Sequence, residues 1–166
     1  FSGDSNLVLD PLVNEYQRKN ASSSTMHENF LLFNKIDNCS VNYLCATGLY
    51  NIFNIVNVLE YWYTYGMLQQ DNIDGKLVIN LIEYPEEFNI ELLPEHYRLQ
   101  LADQIKEFLQ RPDFVSICND VYGSIDLFSQ SSRLDLLINR LRNPLVSPDK
   151  IDNLRKKFAK RTVAFD

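Results

Sequence analysis

Residues 76–83 place the tightest constraint on what this chain can become. Leu77, Val78, Ile79, Leu81 and Ile82 form an almost unbroken apolar run, interrupted only by Asn80. A strand with one wet face alternates apolar and polar residues, whereas a run of this kind suits a strand covered on both faces, as in a parallel sheet. Tyr84-Pro85 ends the run, because proline offers no N–H to a ladder. Parallel strands need long crossovers, usually helical and right-handed.

The rest of the chain supplies matching parts. Residues 41–47 read as another strand, followed by Gly48. Residues 51–65 read as a helix, with Ile52, Ile55, Val56, Leu59 and Trp62 at 3.6-residue spacing and Gly66 as the stop. Residues 94–110 read as a second long helix with Tyr97, Leu101, Ile105 and Phe108 along its apolar stripe. Upstream, Asp10-Pro11 starts a helix that points Leu12, Val13 and Tyr16 at the core. Residues 20–25 read as a polar loop, residues 71–75 as another, and residues 30–33 as strand or helix. Three further helices are expected over about 113–120, 132–142 and 148–160, the last announced by Ser147-Pro148. The expected fold class is therefore α/β. It is a partial (β/α) barrel or an open parallel sheet with a helical C-terminal third. With 166 residues, one domain is expected, residues 1–110 forming the barrel-like region and 111–166 its helical extension.

Composition narrows the function classes. The net charge is −6, so generic nucleic-acid binding by the whole chain is disfavoured. No apolar run approaches the roughly 18 residues of a membrane span. Cys39, Cys45 and Cys118 are odd in number and fit no zinc spacing, so free thiols in a reducing, cytoplasmic compartment are expected. Two histidines, His27 and His96, argue against a multi-histidine metal site, and no metal site is expected within the chain. Glycine-rich phosphate loops, G-x-S-x-G and H-E-x-x-H are all missing. Whether the chain belongs to an enzyme stays open on these grounds.

Ligands of α/β folds sit at the carboxyl ends of parallel strands. That directs attention to Gly3, Asp4 and Ser5, to Thr47 through Asn51, and to Glu83-Tyr84-Pro85. A second feature is the basic tail. Lys150, Arg155, Lys156, Lys157, Lys160 and Arg161 face Asp152 alone within twelve residues. Lys156/Lys160 and Lys157/Arg161 share a helical face, while Ile151, Leu154 and Phe158 form the opposite one. This helix either docks on the acidic body or meets a partner, and any nucleic-acid contact would have to run through it.

Three stretches resemble radical S-adenosylmethionine (SAM) proteins of the short twitch-domain type found in phage and bacteria. Residues 1–11, with Gly3-Asp4-Ser5 and Asp10-Pro11, are similar to the Gly-Gly-Glu-Pro strand end and its Leu-Leu-x-Pro continuation. Thr47 to Asn51 resembles a later strand-to-helix turn of Thr-Val-x-x-x-Asn type, and residues 84–94 resemble a Pro-x-x-Leu-x-Ile-x-x-Leu-Pro run. The resemblance implies SAM at the strand ends, contacted by Gly3, Asp4, Ser5, Thr47 and Asn51. It also implies a 4Fe-4S cluster, whose Cys-x3-Cys-x2-Cys ligands are not in this sequence, and an unidentified protein or peptide substrate. The expectation is the C-terminal portion of such an enzyme, inactive alone. The alternative is a non-catalytic interaction or structural module with a basic C-terminal helix.

Overall fold

The computed structural model describes residues 2–4, 22–33, 35–37, 39, 41–67 and 76–163. Three parallel strands form one sheet in the order β1 (Ser2–Asp4), β2 (Asn42–Thr47), β3 (Leu77–Leu81). Asp4 is level with Leu44, and Thr47 is level with Leu81. The expected parallel sheet is thus present, and a closed barrel is not seen among the described residues.

The chain is otherwise mostly helical. Helix α1 (Ser23–Phe33) resolves the ambiguity at residues 30–33 and begins inside the stretch read as a loop. The Ser22 hydroxyl accepts from the Thr25 N–H at 3.3 Å, so this serine caps a helix rather than extending a linker. The helix expected from Asp10-Pro11 and the loop at 71–75 lie outside the described residues. After β2, a 3-10 turn (Ile52–Asn54) leads into α2 (Ile55–Tyr61), which widens into a π turn (Trp62–Met67). The wider turn has a consequence for packing. Tyr61, Trp62 and Tyr63 are all buried, although three consecutive residues on a regular helix span too wide an arc to share one face. Gly66 therefore sits within the π turn instead of ending the helix.

The described helices of the two crossovers, α1 and α2, pack on the same side of the sheet. Tyr43 on β2 meets Phe30 of α1 at 4.6 Å between ring centroids and Tyr61 of α2 at 6.3 Å. The two faces of β3 are buried unequally. Leu77 and Ile79 are closed off and Leu81 packs against the core on the same face, whereas Val78 on the other face is half-buried and its neighbour Leu44 on β2 is 39 % exposed. The expectation of a strand covered equally on both faces is corrected accordingly.

The C-terminal helices extend this single core. They are α3 (Glu95–Leu109), α4 (Pro112–Tyr122), α5 (Ile125–Ser132), α6 (Leu134–Arg142) and α7 (Pro148–Val163). The stripe of α3 is rotated from the expected one. Leu101, Ile105 and Phe108 are buried as read, but Arg98 replaces Tyr97 at the inner position, and Tyr97 lies at the edge against Phe53. Arg98 is tolerated because Nε donates to the Leu93 carbonyl at 3.1 Å and Nη1 to that of Leu141 at 2.6 Å. Helix α5 was not expected, yet it carries plain signals. Gly123 adopts φ 83° to end α4, and the Ser124 hydroxyl accepts from the Leu127 N–H to start α5. Arg133, at φ 63°, breaks α5 from α6 and donates to Asn80 Oδ1 on β3 at 3.0 Å. Among the described residues no helix is long and apolar enough to cross a membrane.

Candidate functional site

The three expected strand ends differ in what they present. Gly3 and Asp4 lie on β1, three residues short of the level reached by Thr47, and Ser5 lies outside the described residues. Thr47 and Asn51 stand at the carboxyl end of β2, both almost fully buried. The Thr47 hydroxyl lies 3.4 Å from the Cys45 carbonyl oxygen and from its Sγ. The Asn51 amide is engaged at both ends, accepting from the Gly48 N–H at 2.9 Å and donating to the Ala46 carbonyl at 2.6 Å. These side chains staple the strand-to-helix turn. Gly48 is required there, since a Cβ would come within 3.0 Å of the Phe88 carbonyl oxygen and the Ile82 side chain. Through Leu49 N–H to Phe88 O, at 2.9 Å, the turn after β2 is fastened to the segment after β3.

Thr47 and Asn51 direct polar atoms at their own backbone, which gives both side chains a structural role in the turn. Cys45 and Cys118 are fully buried, and burial pushes the Cys118 thiol up to about 12, opposite to what a thiolate ligand needs. Among the described residues no group of three or more His, Cys, Asp or Glu side chains could hold a metal ion.

Open space lies instead at the third strand end. Beyond β3, residues 83–91 and the basic helix α7 enclose two neighbouring clefts. One, of about 470 Å³, is lined by Tyr84, Pro85, Glu86, Glu87, Lys157 and Lys160. The other, of about 500 Å³, also includes Tyr84 and Glu86 and adds Arg140, Val146 and Lys150 among its walls. Tyr84 is 86 % exposed at the rim they share.

Several features position α7. Lys150 Nζ meets Glu86 Oε1 at 2.6 Å, Arg155 Nε donates to the Leu92 carbonyl at 2.7 Å, Leu154 is buried, and Phe158 packs 5.3 Å from Tyr50. The tail therefore docks on the body through Leu154, Arg155 and Phe158, with the half-exposed Lys150–Glu86 pair beside them. Lys157 and Lys160 are left facing the first cleft.

Beneath the second cleft, Glu91 is 1 % exposed. Its Oε1 accepts from Arg140 Nη1 at 2.6 Å, and its Oε2 accepts from the backbone N–H groups of Leu145 and Val146 at 2.6 and 2.7 Å. Arg140 also reaches Glu83 at 2.8 Å. This carboxylate fixes the loop that delivers α7. Neither Glu91 nor Arg140 was singled out from the sequence. The readable signal was a lone carboxylate inside the apolar stretch Ile90-Glu91-Leu92-Leu93.

A second charged cluster lies on the far side of the helical layer. The Arg111 guanidinium holds the Asp113 carboxylate at 2.8 Å, and the Tyr63 hydroxyl donates to it at 3.1 Å. Arg111 also pairs with Glu60 and lies over the Tyr63 and Phe108 rings. Hydrogen bonding from Arg111 lowers the Asp113 pKa from 3.8 to about 2. A depressed folded-state pKa contributes stability that is complete above the unfolded value and fades as pH falls through the folded one. We expect the stability of the native chain to drop between about pH 4 and pH 2 with an Asp113 component. In D113N that component is absent, which acid titrations of the two proteins followed by circular dichroism will show.

No family model, curated protein or solved structure matches this chain.

Proposed function

We propose that this chain is a protein-interaction module that captures an acidic peptide segment of a partner in the clefts between residues 83–91 and α7. The observation that carries this reading is the division of labour on α7. Leu154, Arg155 and Phe158 hold the helix to the body, while Lys157 and Lys160 line one cleft beside an exposed tyrosine and Lys150 lines the other. Tyrosine at a concave site is a residue type that anchors polypeptide partners, and lysines beside it give charge complementarity to carboxylates. Glu83, Glu86 and Glu87 lie among the lysines, so the site is mixed in charge. Such a site favours discrete, spaced carboxylates over the uniform phosphate backbone of a nucleic acid. The free cysteines are consistent with work in a reducing cytoplasm.

The test uses a fluorescein-labelled dodecapeptide with Glu at alternate positions, titrated into the chain and read by anisotropy. Saturable binding is expected. The double reversal K157E/K160E should weaken it by about tenfold or more, and raising salt should weaken it in the wild type. Binding that ignores both lysines, or an oligonucleotide that outcompetes the peptide, would falsify the reading.

A second reading is favoured by one observation. Sequential strand order with both crossovers on one face is also the arrangement of a sector of a (β/α) barrel. On that reading the chain is a piece of a radical SAM enzyme, with Gly3 and Asp4 of β1 near the ligand. Calorimetric titration with SAM decides it, and an absence of heat removes it.

A further inference from the structure

The two clefts share Tyr84 and Glu86, and the Lys150–Glu86 ion pair lies where they meet. We infer that this pair is a gate across one continuous peptide groove, and that a carboxylate of the bound segment replaces Glu86 on Lys150. The inference rests on the interaction reading above and adds how its site opens.

Three features support the exchange. First, the partners are half open to water, with side chains 50 % and 46 % exposed, so the pair is screened and readily broken. Second, nothing else of the α7 anchorage depends on it. Leu154 is buried, Arg155 holds the Leu92 carbonyl and Phe158 packs between Tyr50 and Phe88, so Lys150 can change partners while the helix stays docked. Third, the incoming group has the same chemistry as the one it displaces. A peptide carboxylate lying across the junction meets Lys150 on one side and has Lys157 and Lys160 further along. Glu86 then acts as an internal competitor for the ligand. No bond is made or broken covalently, and Lys150 remains charge-paired in both states.

The consequence is a length-dependent effect. Removing the competitor helps a segment long enough to cross the junction more than one confined to the first cleft, which gains only the loss of one like charge from its wall. The experiment compares the acidic dodecapeptide with its half-length hexapeptide, on wild type, E86Q and K150A. Asp152, 3.9 Å from Arg155 on the same helix, provides the control variant D152N. E86Q should bind the dodecapeptide about three- to fivefold more tightly than wild type, while hexapeptide affinity stays within twofold. K150A should weaken the dodecapeptide alone, and D152N should alter neither peptide. Circular dichroism melts establish that each variant is folded. If wild type binds through Lys157 and Lys160 but E86Q gives no gain, or an equal gain for both lengths, the gate is wrong and the interaction reading stands. If wild type binds neither peptide, both are overturned.

Discussion

Replacing Glu91 with alanine should lower the folding stability by about 3–5 kcal/mol, the cost of removing one partner from a buried charge network. The variant leaves Arg140, 18 % exposed, without its buried anion, and strands the N–H groups of Leu145 and Val146. Because these residues carry the connection into α7, the loss should reach the cleft as well as the core. E91Q preserves the shape and one acceptor for the backbone donors, so it should fall between alanine and wild type. E83Q removes the exposed partner of the same arginine and should cost less than about 1 kcal/mol. Urea denaturation of the three variants gives the ranking. A nearly neutral E91A would show that the carboxylate does not organise the loop.

A comparable loss is expected at Phe114, for a different reason. Its ring is fully buried and sits 4.7 Å from Phe108, 5.4 Å from Tyr63, 5.3 Å from Phe128 and 6.3 Å from Trp62. It thus joins α4 to α3, to the π turn and to α5. Truncation to alanine opens a cavity where helices from both parts of the sequence meet, at a cost of about 3–5 kcal/mol. F114L retains most of the volume and should recover more than half. A lower urea midpoint for F114A, with the same dependence on denaturant, is the expected signature. If α4 and α5 instead unfolded separately, the transition would split into two steps, and the view of one shared core would fail.

How much of this was readable beforehand depended on how local the cause was. Residues 41–47 and 76–83 announced strands through apolar, β-branched content and their turn residues, and both strands are present at nearly those limits. Helices α3, α4, α6 and α7 followed from periodicity and start signals. The stretch 51–65 was correctly read as helical, but its widening at Trp62 was not. No single residue there marks a π turn; it arises because burying Tyr61, Trp62 and Tyr63 together is worth one irregular turn of backbone. Tyr97 was placed on the apolar stripe by its spacing, but Arg98 takes the inner position because one nearby carbonyl, Leu93, and one distant carbonyl, Leu141, satisfy its guanidinium.

The same distinction holds for the site. That the carboxyl ends of the strands would matter could be argued from the fold class, and one of the three places named, Glu83-Tyr84-Pro85, borders open clefts. The turn at Thr47 and Asn51 looks equally polar in sequence, yet its side chains bond to their own backbone. Sequence also showed that the last helix is basic, without saying which lysines are occupied. Amino-acid order determined the elements and their amphipathic faces, because periodicity and capping act within a few residues. Tertiary structure alone decided which polar groups are satisfied and which face a cleft. The partners of Glu91 are 49 to 55 positions away along the chain, and those of Lys150 and Arg155 are 63 or 64 away, separations that no local pattern can encode.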